Sequence, residues 1–334
     1  MIISRTPFRI SFFGGGTDYP VWYRENGGAV LNTTINKYCY ISCRFLPPFF
    51  NHKYLIRYRL TETVGTVNEI QHPSVRECLR YMKIDQGIEM VHTSDLPARS
   101  GIGSSSAFTV GFLNTLYALT GRMVGKRKLA SDAICLEQQI IAEKVGSQDQ
   151  VASAFGGLNI MKFNGRENFF VQPVTISSEK VKTLQNHLML FFTGLSRIAS
   201  EIAAEQIQNT DSKTTELCSM QQMVDEASNI LNSENGRLED FGYLLDESWK
   251  LKRSLSSRVS TNSIDEMYDI ALKAGALGGK LCGAGGGGFM LLFVPPRKQR
   301  MVKNALKDFL YVPFRFETLG SHITLYSNES SNSR

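Results

Sequence analysis

The sequence predicts a protein of strands and helices in two packed domains, or in one domain with a large elaboration. A chain of 334 residues is too long for one simple core and short for three. Strand-like and helix-like patterns alternate along its whole length. Composition shifts near 175–185, which divides the chain into domains 1–178 and 179–327, with a polar tail, 328–334, expected to be disordered.

Ile2 to Phe13 reads as a strand running into Gly14-Gly15-Gly16-Thr17-Asp18, where three glycines mark a backbone that bends near a ligand or another segment. Ala29 to Phe45, rich in Val, Ile, Thr and Tyr, reads as one or two sheet strands. Residues 47–72 are polar and aromatic and suit a loop with a hairpin. Ser74 to Met82 is helical in pattern, and Ile88 to Thr93 is a short strand. One helix is expected from about Ser105 to Thr120. A second runs from Lys128 to Val145 and ends near Gly146. Gln150 to Phe155 adds a short helical piece, and Leu158 to Phe163 and Phe169 to Val174 read as strands. Leu188 to Thr193 opens a new α/β section. Helical patterns cover about 198–208, 214–232 and 237–253, then Ile264 to Ala274. The glycine run Lys280 to Gly288 precedes a strong strand, Phe289 to Val294. A helix at about 297–309 and strands near 313–317 and 322–326 close the chain.

Apolar residues make up 42% of the chain, ample for a core, and charged residues 20%, which argues against widespread disorder. The net charge of +6 is mild and not gathered into a basic run. It fits an anionic small-molecule substrate better than nucleic acid, where a basic stripe is expected. Six cysteines form no C-x-x-C and no paired His/Cys spacing, so reduced, mostly buried thiols are the expectation. The N-terminal residues lack a signal-peptide pattern, and no apolar run approaches the ~20 residues of a spanning helix. A soluble cytoplasmic protein with neither membrane nor nucleic-acid partner follows. The oligomeric state stays open, with a homodimer allowed.

The most informative segment is Pro97-Ala-Arg-Ser-Gly-Ile-Gly-Ser-Ser-Ser-Ala107. Gly101 and Gly103 permit a tight turn and close approach to a ligand. Ser104, Ser105 and Ser106 suit a helix start, where free N–H groups and the helix dipole attract an anion. The pattern is neither Walker A nor the dinucleotide fingerprint, since Ser106 stands where the last glycine should be. Glycine motifs at 14–16, 101–103 and 283–288, each at an element junction, favour one shared ligand cleft. Glu137 falls on the apolar face of the second helix, with Ile134, Ile140 and Ile141 around it. A carboxylate there needs a partner: a buried arginine or lysine, or a magnesium ion shared with a serine hydroxyl. Asp149 lies in Gly-Ser-Gln-Asp-Gln-Val-Ala, about 18 Å from Glu137 along an unbroken helix. A break at Gly146 would return it toward the cleft; an ordinary loop aspartate is the plainer reading.

Together these residues resemble the GHMP kinases. Pro7-Phe-Arg9-Ile-Ser-Phe-Phe-Gly-Gly-Gly-Thr-Asp18 looks like the first family motif, residues 97–107 the second, and Lys280-Leu-Cys-Gly-Ala-Gly-Gly-Gly-Gly288 the third. Within the family, the match is nearest to D-glycero-D-manno-heptose 7-phosphate kinases. It is carried by Phe12 to Asp18, Gly27 to Leu31, Gln148 to Gly157, Thr193-Gly-x-Ser-Arg197, Ser248-Trp-Lys250 and Lys280 to Met290. The resemblance implies a two-domain α+β fold, with an N-terminal mixed α/β domain containing a left-handed β-α-β crossover, a C-terminal ferredoxin-like domain, and ATP and sugar bound between them. Two positions depart from the pattern. Arg99 stands where glycine is common, and Cys282 where Ser or Thr is usual, so a hydroxyl contact at 282 is in doubt because a thiol is a poorer donor.

The resemblance also implies roles. ATP would lie on Pro97, Arg99, Ser100, Gly101, Ile102, Gly103, Ser104, Ser105 and Ser106. Ser105, or Ser104, and Glu137 would hold Mg²⁺. Asp149 would take the proton of the acceptor hydroxyl, and Arg9 would orient it and steady the transferred phosphate. Gly15, Gly16 and Asp18 would meet the sugar, as would the backbone of Gly283, Ala284, Gly285 and Gly286. The distal phosphate would be met by Arg197 and Lys252, with Lys250 and Arg253 as further candidates. The reaction implied is phosphoryl transfer from ATP to the anomeric hydroxyl of a heptose 7-phosphate. A substrate panel separates this from a kinase of unphosphorylated fucose or galactose. Turnover separates both from a sugar- and ATP-binding regulator without catalysis.

Overall fold

The computed structural model describes residues 1–165, 168–194, 199–233 and 236–327. Arg197 and the tail 328–334, for which contacts and disorder are expected from sequence, lie outside these described residues. The first half contains β1 (Ile2–Phe13), α1 (Pro20–Asn26), β2 (Gly28–Phe45), β3 (Tyr54–Arg57), β4 (Thr61–Val64), α2 (Pro73–Met82), β5 (Ile88–Ser94), α3 (Ser104–Leu119), α4 (Lys126–Cys135), α5 (Gln148–Phe155), β6 (Leu158–Asn164) and β7 (Asn168–Pro173). The second half contains α6 (Ser178–Asn186), β8 (Leu188–Gly194), α7 (Ala199–Gln208), α8 (Thr214–Asn232), α9 (Glu239–Ser254), α10 (Asn262–Lys273), β9 (Gly278–Leu281), β10 (Gly288–Phe293), α11 (Gln299–Ala305), β11 (Leu310–Tyr311), β12 (Phe316–Glu317) and β13 (His322–Tyr326).

Among the described residues, nine strands form one sheet in the order β13-β1-β2-β5-β3-β4, with β6 and β12 also paired to β2 and β7 to β6. The length of β2 explains the branching. Its first half, Gly28 to Thr33, pairs with β6, and its second half, Cys39 to Phe45, pairs with β5. Helices α3, α5 and α8 pack on β1 and β2. Phe8, Ile10, Phe12 and Phe13 are consequently all buried, on both faces of the strand. The remaining strands make an antiparallel sheet, β11-β8-β10-β9, in which every residue of β10 is buried and α9 lies against β9.

The two halves share a core. Phe241 of α9 meets Phe12 and Phe13 of β1 edge-on, with ring centroids 5.5 and 5.0 Å apart. Such contacts add about 0.5–1.5 kcal/mol each beyond burial. β12 and β13 belong to the large sheet, although their residues fall in the segment 179–327 assigned from sequence to the second domain. β13 completes the edge beside β1, from Ile2 opposite Tyr326 to Arg5 opposite His322.

The second helix also differs from its expected course. α4 stops at Cys135, a wide π-type turn covers Leu136–Ile140, and Ala142 adopts a left-handed backbone, φ 61°. Ile140 is exposed, so the isoleucines expected around Glu137 do not form one buried face. Glu137 is buried all the same, because the widened turn pushes its side chain toward α3 and α5. Widened turns of this kind recur at functional sites.

Candidate active site

A cleft of about 510 Å³ is lined by residues from both halves, among them five basic and three acidic side chains. One wall is β1. Side chains two residues apart share a strand face, so Arg9 and Ser11 both point into the cleft. Arg9 is 4% exposed and forms a fork with Asp149: Nε donates to Oδ1 at 2.7 Å and Nη2 to Oδ2 at 3.0 Å. Its third direction, Nη1, donates to the Gly101 carbonyl at 2.8 Å, and its backbone N–H to the Ile102 carbonyl at 3.1 Å. One guanidinium therefore ties the aspartate to the glycine–serine loop. Asp149 sits in the first turn of α5, where the helix dipole favours a negative charge, and keeps 24% of its side chain exposed to the cleft.

The loop 97–106 divides its work. Arg99, Gly101, Gly103, Ser104, Ser105 and Ser106 line the cleft, with Gly103 (φ 74°) at the N-cap of α3. Pro97, Ser100 and Ile102, expected as ATP contacts, are not among the lining residues: Ser100 Oγ donates to the Pro97 carbonyl at 2.7 Å, and the Ile102 side chain is fully buried. Arg99 has φ 59°, a left-handed backbone that explains why glycine is common there. Its N–H donates to Ser104 Oγ at 3.1 Å, and its exposed side chain faces the cleft.

The third glycine loop packs directly on this one. A Cβ on Gly101 (φ 79°) would lie 2.4 Å from the Cys282 carbonyl, and one on Gly283 would lie 2.4 Å from the Gly101 Cα. Gly101→Ala is therefore expected to lower stability by about 1–3 kcal/mol and to weaken nucleotide binding by about tenfold or more, read by thermal melting and nucleotide titration. Lys252, expected at the distal phosphate, instead holds this loop. It is buried, and its ammonium donates to the Leu281 carbonyl at 2.8 Å and to the Gly283 carbonyl. Lys250 and Arg253 are likewise engaged, by Asp246 and Asp265. Gln206 of α7 holds the Ala284 carbonyl at 2.8 Å. Gly286, expected to offer its N–H to the sugar, donates it to the Val259 carbonyl at 2.9 Å. Gly283 and Ala284 line the cleft; Gly285 and Gly286 are not among the lining residues.

Gly15, Gly16 and Asp18 line the cleft beside α5. Asp18 is buried and accepts the backbone N–H groups of Gly16 at 3.0 Å and Gln148 at 3.3 Å. Burial, then the charge of Asp149, raises its pKa above the usual carboxylate range. Gly146 permits this approach, since a Cβ there would fall 1.9 Å from Asp18 Oδ2.

Glu137 is fully buried, and neither an arginine nor a lysine meets it. One oxygen, Oε2, accepts Ser106 Oγ at 2.7 Å and the Gln150 amide; the Thr109 hydroxyl also stabilises the carboxylate, and Oε1 has no partner within ordinary hydrogen-bond geometry among the described residues. Gln150, the residue after Asp149, thus touches Glu137 from α5, while Asp149 turns to Arg9 and lines the cleft, which Glu137 itself does not. Ser106 occupies the place expected for Ser105, which is exposed on the cleft lining. Burial pushes the Glu137 carboxyl up to about 7. An unpartnered buried carboxylate oxygen among hydroxyls suits a hard cation that takes oxygen ligands, and Mg²⁺ needs few protein ligands when phosphates supply the rest.

Among the lining residues given no role from sequence, three stand out. Ser11 and Gln148 are buried, and Ser11 Oγ and Gln148 Oε1 have no partner. Lys280 of β9 reaches across to the large sheet and donates to the Phe12 carbonyl at 2.8 Å; burial draws its ammonium down to about 8. All three lie within the motif segments quoted above, and Ser11 shares a strand face with Arg9, but nothing local in the sequence assigns them a role.

Comparison with known proteins agrees with this geometry. The family described as GHMP kinases N terminal domain matches residues 70–157, and GHMP kinases C terminal matches residues 227–312. A D-glycero-alpha-D-manno-heptose 7-phosphate kinase of Campylobacter jejuni is 30% identical over 329 residues, covering 93% of this chain and 95% of its own length. An L-fucokinase/L-fucose-1-P guanylyltransferase of Bacteroides fragilis is 25% identical over 337 residues, covering 87% of this chain and 34% of that larger protein. The crystal structure of a D-glycero-D-manno-heptose 1-phosphate kinase from Bacteroides thetaiotaomicron superposes with a TM-score of 0.79 at 24% identity, covering 98% of this chain and 100% of that one, and speaks for the fold. The chain belongs to the GHMP kinase family. It is a kinase, a phosphotransferase with an alcohol group as acceptor, on the two-domain fold of that family. Among the described residues no helix is long and apolar enough to cross a membrane.

Proposed function

We propose that this protein transfers the γ-phosphate of ATP to the anomeric hydroxyl of D-glycero-D-manno-heptose 7-phosphate, giving the 1,7-bisphosphate. The observation that carries the reading is the Arg9–Asp149 fork, fixed through Gly101 to the glycine–serine loop at the start of α3. The 30% identity over 93% of the chain to a heptose 7-phosphate kinase supports the choice of acceptor.

The triphosphate lies on the N-terminus of α3, where the N–H groups of Ser104 to Ser106 and the helix dipole meet its charge. Glu137, with Ser106 or Ser105, holds Mg²⁺. When bound, that ion neutralises phosphate charge. Asp149 accepts the proton of the sugar O1. Each of its oxygens takes one bond from Arg9 and retains a free lone pair for this. The O1–P bond forms as the bond from Pγ to the β-phosphate oxygen breaks, and ADP departs. Arg9 orients Asp149 and offsets the charge that develops between donor and acceptor. With Lys252 engaged, Lys144 and Arg99, both exposed on the cleft lining, are described cations open to the distal phosphate.

The engagement of Lys252 also favours a second reading, a kinase of an unphosphorylated sugar, in line with the fucokinase relative. A panel of heptose 7-phosphate, heptose, fucose and galactose, scored by ADP release, separates the two. The expected result is a kcat/KM at least about tenfold higher for heptose 7-phosphate than for heptose, the scale of one charge-assisted contact. Equal values for the pair point to the second reading.

A further inference from the structure

Ser11, Gln148 and Lys280 share one property: each carries buried hydrogen-bonding capacity that the protein leaves unmet. Ser11 is 5% and Gln148 7% exposed, yet among the described residues Ser11 Oγ and Gln148 Oε1 have no partner. Lys280 is 2% exposed, and its ammonium, with three donors, has the Phe12 carbonyl as its acceptor among the described residues. Leaving a buried polar group without a partner destabilises a protein unless something else satisfies it. All three line the same cleft. Two of them flank the bare Cα of Gly15, where a Cβ would stand 3.7 Å from Ser11 Oγ and 3.9 Å from Gln148 Nε2.

We propose that Ser11, Gln148 and Lys280 form the subsite that grips hydroxyl groups at the reacting end of the acceptor sugar, over the open face of Gly15. This rests on the kinase reading above and adds residues to it. The donor and acceptor types select the ligand chemistry. Gln148 Oε1 can only accept, so the ligand must bring an O–H or N–H, which a phosphate dianion lacks. Lys280 can only donate, so the ligand must also bring a lone pair. Ser11 can do either. Neighbouring sugar hydroxyls meet all three demands, each donating one bond and accepting others. Asp18 and Asp149 stand in the same wall of the cleft and accept from the hydroxyls that remain.

Ser11→Ala and Gln148→Met test this, because each removes a group that forms no bond in the free protein. Melting temperatures without ligand are expected to match or exceed that of the unaltered protein. The acceptor KM, measured with the sugar turned over fastest in the panel, is expected to rise about tenfold or more in each variant, with the ATP KM within about twofold. Lys280→Met is expected to show the same split together with a lower melting temperature, since it also loses the bond to Phe12. Unchanged acceptor KM in both Ser11→Ala and Gln148→Met, or an equal rise in both KM values, overturns the subsite while leaving the kinase reading intact. Unaltered protein that releases no ADP with any sugar of the panel overturns the kinase reading and the subsite with it.

Discussion

Asp149→Asn is expected to lower kcat by about 10²–10⁴, the usual contribution of a positioned general base, while nucleotide affinity stays within a few fold. The asymmetry follows from position. Asp149 borders the N-terminus of α3 without supplying a donor to the phosphates, so its loss removes proton acceptance and leaves the cradle. Asparagine is the informative replacement. Arg9 is buried with Asp149 as its ion-pair partner, and Asp149→Ala would strand that charge at a cost of about 3–5 kcal/mol. Asparagine keeps an acceptor for Nε but turns an amide toward Nη2, so a smaller fall in melting temperature is expected. Single-turnover kinetics together with nucleotide titration check the claim. Near-normal chemistry in a folded Asp149→Asn protein removes the base role; loss of nucleotide binding would mean that the fork serves mainly to shape the loop.

The parts of the molecule legible in the sequence are those governed by local rules. Strand periodicity places β1 and β8, and glycine and serine chemistry places the start of α3. What stayed hidden depends on tertiary context. β9 begins with Gly278-Gly279, which carries no strand propensity; pairing with β10 creates it, and a Cβ on Gly279 would strike the Leu291 carbonyl at 2.4 Å. The return of β13 to β1 crosses more than 300 residues of chain, beyond any periodicity. Glu137 is buried as expected but for another reason, because the π-type turn breaks the period on which its expected apolar face was reckoned. Among lysines the pattern is similar. Charge alone marks Lys252 as a phosphate contact, but only its surroundings reveal two carbonyls that require it. Lys280 looks like one more motif residue until its burial and single acceptor are seen.

Glu137→Gln is expected to abolish the Mg²⁺-dependent gain in stability and to lower turnover at fixed Mg²⁺ by on the order of 10²-fold, the loss of one direct contact to the ion. A pH dependence separates this from simple damage. In the metal-free protein, burial holds the Glu137 carboxyl at about 7, above its ordinary 4.5. The folded state therefore keeps a proton that the unfolded chain has lost. Stability from this source is fully present below about 4.5 and is lost as pH rises through about 7, to an extent on the order of 3 kcal/mol. Glutamine mimics the protonated form at every pH. Without metal, the variant should accordingly match the unaltered protein near pH 4.5 and exceed its melting temperature at pH 8. Mg²⁺ requires the ionised carboxylate, so its apparent affinity in the unaltered protein should fall about tenfold for each pH unit below 7. Thermal melts at pH 5, 6.5 and 8, with and without Mg²⁺ and nucleotide, measure all of this together. If the variant is less stable than the unaltered protein at pH 8 without metal, or gains as much from Mg²⁺, then Glu137 is a structural carboxylate and the cation binds elsewhere.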